Sequence, residues 1–143
     1  MPPMIFVNLP VVDLKRSIDH YRALGWVQNP QFSDETAACM VWSETIHVML
    51  LTHPKWRSFT DRTIPDAHTS AQVLLCLSVG QREDVDRMVD TSGASGGKAD
   101  PNRRIEYPFM YSRSLADPDG HIWEIMWMDA EAAPPTPDAA PAS

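Results

Sequence analysis

The chain has 143 residues, 43% hydrophobic and 22% charged, which suffices for one domain with a hydrophobic core and is too short for two of ordinary size. A net charge of −7, which the basic pair Arg103-Arg104 is too little to change, gives nucleic-acid phosphates no clustered Lys and Arg to meet. No apolar run approaches the roughly 18 residues of a membrane-spanning helix, so neither nucleic acid nor a membrane is expected as a partner. The cysteines, Cys39 and Cys76, each lie in an apolar stretch and read as reduced thiols. The opening Met1-Pro2-Pro3-Met4 has no basic region ahead of an apolar stretch, and the expected location is the cytoplasm.

Met4 to Pro10 runs apolar, as a strand covered on both faces does. Asp13 then precedes Leu14, Ile18, Tyr21 and Leu24, which fall on one helical stripe, and Gly25 follows where a left-handed residue ends a helix. Three short segments have strand character: Trp26 to Phe32, Ala37 to Trp42 and Ile46 to Thr52. The polar breaks between them have hairpin length. From His53 to Ala71 the pattern dissolves into a connecting loop with room for a short helix, and Trp56 and Phe59 there would serve as a lid or as loop anchors.

The pattern then restarts. Val73 to Val79 reads as a covered strand, and an acidic turn leads into a helical stripe of Val85, Met88 and Val89. Setting Leu9-Pro10-Val11 over Leu77-Ser78-Val79 aligns the halves at a shift of about 68 residues. A strand from Tyr107 to Leu115, the turn Asp117-Pro118-Asp119-Gly120 and a strand from His121 to Met128 complete the second half. Beyond Asp129 the composition of Ala, Pro, Asp and Glu predicts a disordered tail over 129–143.

The expected class is α+β: two tandem βαβββ modules, 4–52 and 72–128, joined by a connector over 53–71, with the helices outside a cupped mixed sheet. This duplicated unit, with Asp117-Pro118-Asp119-Gly120-His121-Ile122-Trp123-Glu124-Ile125 opening the last strand and Val12-Asp13-Leu14 opening the first helix, resembles the vicinal oxygen chelate superfamily. That superfamily includes glyoxalase I, extradiol dioxygenases, fosfomycin resistance transferases and bleomycin-sequestering proteins. The likeness covers Met4 to Met128 and fixes architecture better than activity. It also implies a homodimer.

The resemblance implies a divalent metal held by side chains from the first and last strands of each module. The carboxylate position, four residues after the Asp-Pro-Asp-Gly turn, is Glu124. The other three positions are Phe6, Leu74 and Met49, or Leu51 one step along, and none is a hard-cation ligand. No cofactor is therefore expected. A displaced divalent site using His47, Asn8 or Ser112 with Glu124 is the alternative, although same-face neighbours stand roughly 6.5–7 Å apart along a strand.

Alternation about Phe6, Leu74 and Glu124 predicts a mostly apolar cavity lined by Phe6, Asn8, His47, Met49, Leu74, Cys76, Met110, Ser112 and Glu124, with Cys39, Ser114 and Met126 beside them. Such side chains would also serve as plain core. A carboxylate in an apolar strand is costly without a partner, so Glu124 is the candidate acid/base or ligand anchor. His121 should face away from it, Arg113 should face outward or meet a partner subunit, and His20, His53 and His68 read as surface or loop residues. Two functions follow: metal-free binding or sequestration of a small hydrophobic molecule, or a glyoxalase-type lyase or isomerase using Glu124.

Overall fold

The computed structural model describes residues 1–131, so most of the expected tail lies outside the described residues. The first half contains β1 (Ile5–Val11), α1 (Leu14–Ala23), β2 (Val27–Asn29), β3 (Ala37–Val41) and β4 (Ile46–Thr52). A short α2 (His53–Arg57) opens the connector. The second half contains β5 (Leu75–Ser78), α3 (Arg82–Ala94), β6 (Lys98–Ala99), β7 (Ile105–Tyr107), β8 (Met110–Ala116) and β9 (Ile122–Met128). The first sheet has the order β1-β4-β3-β2 and the second β5-β9-β8-β6, with β7 also on β8. In each sheet the first and last strands pair in parallel, β1 with β4 and β5 with β9. This is the α+β arrangement of two repeated units that the sequence implies.

The differences from expectation are local and have backbone causes. Proline removes a ladder donor, and the second strand stops at Asn29 where Pro30 starts a single 3-10 turn to Phe32. The fifth strand begins at Leu75, leaving Val73 and Leu74 outside the ladder. The expected strand from Tyr107 to Leu115 is broken at Pro108-Phe109 into β7 and β8, which pair antiparallel. β6 and β7 run along the same edge of β8, so together they form one outer strand interrupted at residues 100–104.

Helices α1 and α3 pack on one side of the sheets and share one core. Leu9, Val11, Val48 and Leu50 from the first sheet join Leu77, Leu115, Trp123 and Ile125 from the second, with Tyr21, Val85, Met88 and Val89 from the helices. Asp13 caps α1 by accepting from the Arg16 N–H at 3.1 Å, and Gly25 takes the positive φ that ends it.

The halves are tied by polar bonds as well as packing. Asp119 accepts from Val12 N at 2.8 Å and from Ser17 Oγ at 3.2 Å, so the turn of the second half caps the start of the first helix. His121 Nε2 donates to the Pro10 carbonyl at 2.7 Å. His20, expected at the surface, is fully buried with Nε2 2.7 Å from Ser92 Oγ, because α3 crosses over it. Arg113 does point away from the cup face but is covered, and it bonds Asp86, Asp90 and Asp100 at 2.7–2.9 Å.

Candidate functional site

The face of each sheet away from the helices carries the residues singled out in the sequence. On the first sheet Phe6 lies beside His47 and Asn8 beside Met49, while Cys39 flanks Met49 from the other side. On the second, Cys76 and Ser114 flank Glu124 from opposite sides, and Ser112 stands beside Met126. Met110 is at the far end, opposite Met128. Leu74 precedes the ladder and is 55% exposed.

Glu124 is half-buried and accepts two neutral hydrogen bonds, from Asn102 Nδ2 at 3.3 Å and Ser112 Oγ at 3.4 Å. Asn102 was not singled out in the sequence, and the interrupted outer strand explains its position. Asp100 adopts a positive φ of 54° and its N–H bonds the Ser114 carbonyl at 2.9 Å. The loop then turns inward, the Asn102 N–H bonds Ser114 Oγ at 2.8 Å, and the amide of its side chain reaches Glu124. Across the strand pair, burial and then the Glu124 charge push the Cys76 thiol up, keeping it protonated beside the carboxylate.

On the first sheet His47 is buried and stacked on Phe6, with ring centroids 4.5 Å apart and planes 17° from parallel. Its Nδ1 has no hydrogen-bond partner among the described residues. Cys39 is buried, and burial raises its thiol pKa. Phe6, by contrast, remains 46% exposed, so the first sheet offers an aromatic wall rather than a row of donors.

The metal that the resemblance implies does not fit this wall. Phe6, Leu74 and Met49, where the resemblance implies metal ligands, have no hard-cation donor, and the donors around Glu124 are an amide and hydroxyls. Among the described residues no group of three or more His, Cys, Asp or Glu stands close enough to hold a metal ion.

No protein-family model matches the sequence, and no curated protein matches it. Solved structures do. A hypothetical protein from S. aureus superposes with a TM-score of 0.73 at 22% identity, covering 89% of this chain and 94% of its own. A glyoxalase/bleomycin resistance protein/dioxygenase family enzyme from Burkholderia phytofirmans superposes at 0.71 with 16% identity, covering 89% and 99%. The fosfomycin resistance protein FosX from Listeria monocytogenes superposes at 0.63 with 16% identity, covering 93% and 96%. The chain has the vicinal oxygen chelate fold. Glu124, the carboxylate singled out from the sequence, has Asn102 and Ser112 as its immediate partners.

No helix among the described residues is long and apolar enough to cross a membrane.

Proposed function

We propose that this vicinal oxygen chelate protein is a metal-free binder that holds or sequesters a small hydrophobic molecule against the cup face. Glu124 accepts a hydrogen bond from the ligand's hydroxyl or amine. One observation carries the reading: the cup faces carry exposed Phe6 and half-buried Met49 on the first sheet and half-buried Met126 on the second, with Glu124 as a carboxylate whose neighbours donate hydrogen bonds and supply no metal ligand. Apolar area gives affinity and a few placed polar groups give orientation. The chain acts as a homodimer in the cytoplasm. Exposed Leu74, together with the Tyr107–Phe109 stack at 5.4 Å, supplies apolar surface for a second copy to cover.

A glyoxalase-type lyase or isomerase is the second reading. It is favoured by the hydroxyls and thiol of Ser112, Ser114 and Cys76 around Glu124, which surround a carboxylate acid/base with groups that pass protons.

Titration with 1-naphthol and 1-methylnaphthalene, followed by heteronuclear NMR, tests the binder. Both should bind, the naphthol more tightly, and Phe6→Arg should abolish both. Glu124→Gln should remove the preference for naphthol while leaving methylnaphthalene binding intact. Melting with added Ni, Zn, Mn, Fe or Mg should show no ion-specific shift, and a large shift with one ion would sink the metal-free reading.

A further inference from the structure

Two clefts abut beneath the connector, away from the Glu124 cup. One, of about 190 Å³, is walled by Pro10, Trp56, Pro65, Val73, Leu75 and Ile122. The other, of about 290 Å³, is bounded by His53, Asp66, His68 and Asp119. They share Pro10, Pro65, Ala67 and His121, so the apolar lobe adjoins the one that carries the charged side chains across a common wall. Of the cup-face residues Asn8 reaches the first cleft, while Phe6, His47, Met49, Cys76, Ser112 and Glu124 line neither.

The junction is held by close packing. Gly120 has a φ of 95°, and a Cβ there would stand 2.7 Å from the Ala67 carbonyl carbon and the His68 nitrogen. Glycine thus lets the connector rest on the Asp-Pro-Asp-Gly turn. His121, fixed by its bond to the Pro10 carbonyl, separates the lobes from the sheet edge.

The charges of the polar lobe are unequal. Asp119 is spent on Val12 N and Ser17 Oγ, with Arg16 3.9 Å away. Asp66 accepts the His68 N–H at 2.9 Å and forms no ion pair among the described residues. One carboxylate at the lip of the cleft is therefore uncompensated.

We propose that the two lobes form a second ligand site, for an aromatic ring bearing a short protonated amine. The ring lies against Trp56 and the two prolines, in a space of the order that accommodates benzene in an engineered apolar cavity of about 150 Å³. The ammonium group donates to Asp66. A neutral molecule of the same shape loses that charge-assisted bond, and an acid meets two carboxylates.

Phenethylamine, 2-phenylethanol and phenylacetate, titrated against the full chain and followed at the Trp56 and His121 resonances, test the site. Phenethylamine should bind about fivefold or more tightly than 2-phenylethanol, the difference a partly exposed charged hydrogen bond supplies, and phenylacetate should not bind. Asp66→Asn, which keeps an acceptor for the His68 N–H, should erase the preference for the amine. Ala71→Phe, an exposed connector substitution that fills the apolar lobe, should abolish binding, and Phe6→Arg in the cup should leave it unchanged. No response to phenethylamine at about 10 mM, the range of the weakest specific affinities, overturns the site. Equal binding of amine and alcohol overturns its charge selectivity. Binding that survives Ala71→Phe but is lost in Phe6→Arg assigns the ligand to the cup instead, so the two sites fail independently.

Discussion

Tyr21 of the first helix and Asp117 of the last turn, 96 residues apart, are joined by a buried hydrogen bond of 2.7 Å from the phenol to Oδ2. The phenol oxygen also accepts from Trp123 Nε1 at 3.0 Å. Asp117 Oδ1 receives the N–H groups of Asp119 and His121 at 3.0 and 2.9 Å. One chain of bonds thus runs from the first helix through the turn to the last strand, which positions the strand that carries Glu124.

Tyr21→Phe should therefore destabilise the fold by about 2 kcal/mol, because a buried carboxylate oxygen and an indole N–H both lose their partner. For a domain of this size that is a fall in Tm of roughly 5–10 °C. The ring contacts with Trp26 and Trp123, with centroids 5.9 and 6.3 Å away, remain. A thermal melt that moves by less than a degree would show that the phenol is not the tie between halves.

The parts legible in the sequence were those set by local periodicity. Alternation about Phe6 and Glu124 put both on the face opposite Leu9 and Ile125, as the sheets have them. The Asp-Pro-Asp-Gly turn was legible as a turn, but not that Asp119 would cap the other half's helix. Asn102 was invisible because its approach to Glu124 depends on an outer strand interrupted by the positive φ of Asp100. Arg113 was read only by its alternation. Its three carboxylates lie 13 to 27 residues away on a helix and a loop, a pairing no local pattern records. Val73 and Leu74 look like strand by composition, yet the incoming connector keeps them out of the ladder and exposed.

His20 sets a pH dependence. Burial lowers its pKa from 6.5 to about 4. Between those values the unfolded chain binds more protons than the folded one, so stability falls as pH drops through that window. The loss is about 3 kcal/mol in full. Urea unfolding at pH 7 and pH 4.5 should show most of it in the native sequence and much less in His20→Gln. Equal pH slopes in the two proteins would mean that another group carries the dependence.

Asp100 acts further into acid. Hydrogen bonds from Arg113, then from Arg104, hold its carboxyl down at about 2, against an ordinary 3.8. Its stabilisation is complete above pH 3.8 and disappears as pH falls through about 2. Asp100→Asn should lower stability at neutral pH and flatten the acid limb of the unfolding curve between pH 4 and 2. The same substitution loosens the turn that delivers Asn102 to Glu124, so 1-naphthol affinity should fall with it. A variant with the native acid limb would remove Asp100 from the account.

Cys76 reports directly on Glu124. Its thiol is exposed, and its pKa is raised first by burial of the sulfur's surroundings and then by the facing carboxylate. Only the thiolate reacts with iodoacetamide. Glu124→Gln removes the second cause, so the Cys76 thiol pKa should fall and Cys76 should be alkylated faster at pH 8. Cys39 is 1% exposed and serves as the internal control, with no labelling in either protein until the chain unfolds. Peptide mass spectrometry separates the two thiols. Unchanged labelling of Cys76 would mean that Glu124 turns away from the strand pair, and the cup would lose its polar anchor. Faster labelling that 1-naphthol then suppresses would place the ligand over the Cys76–Glu124 pair.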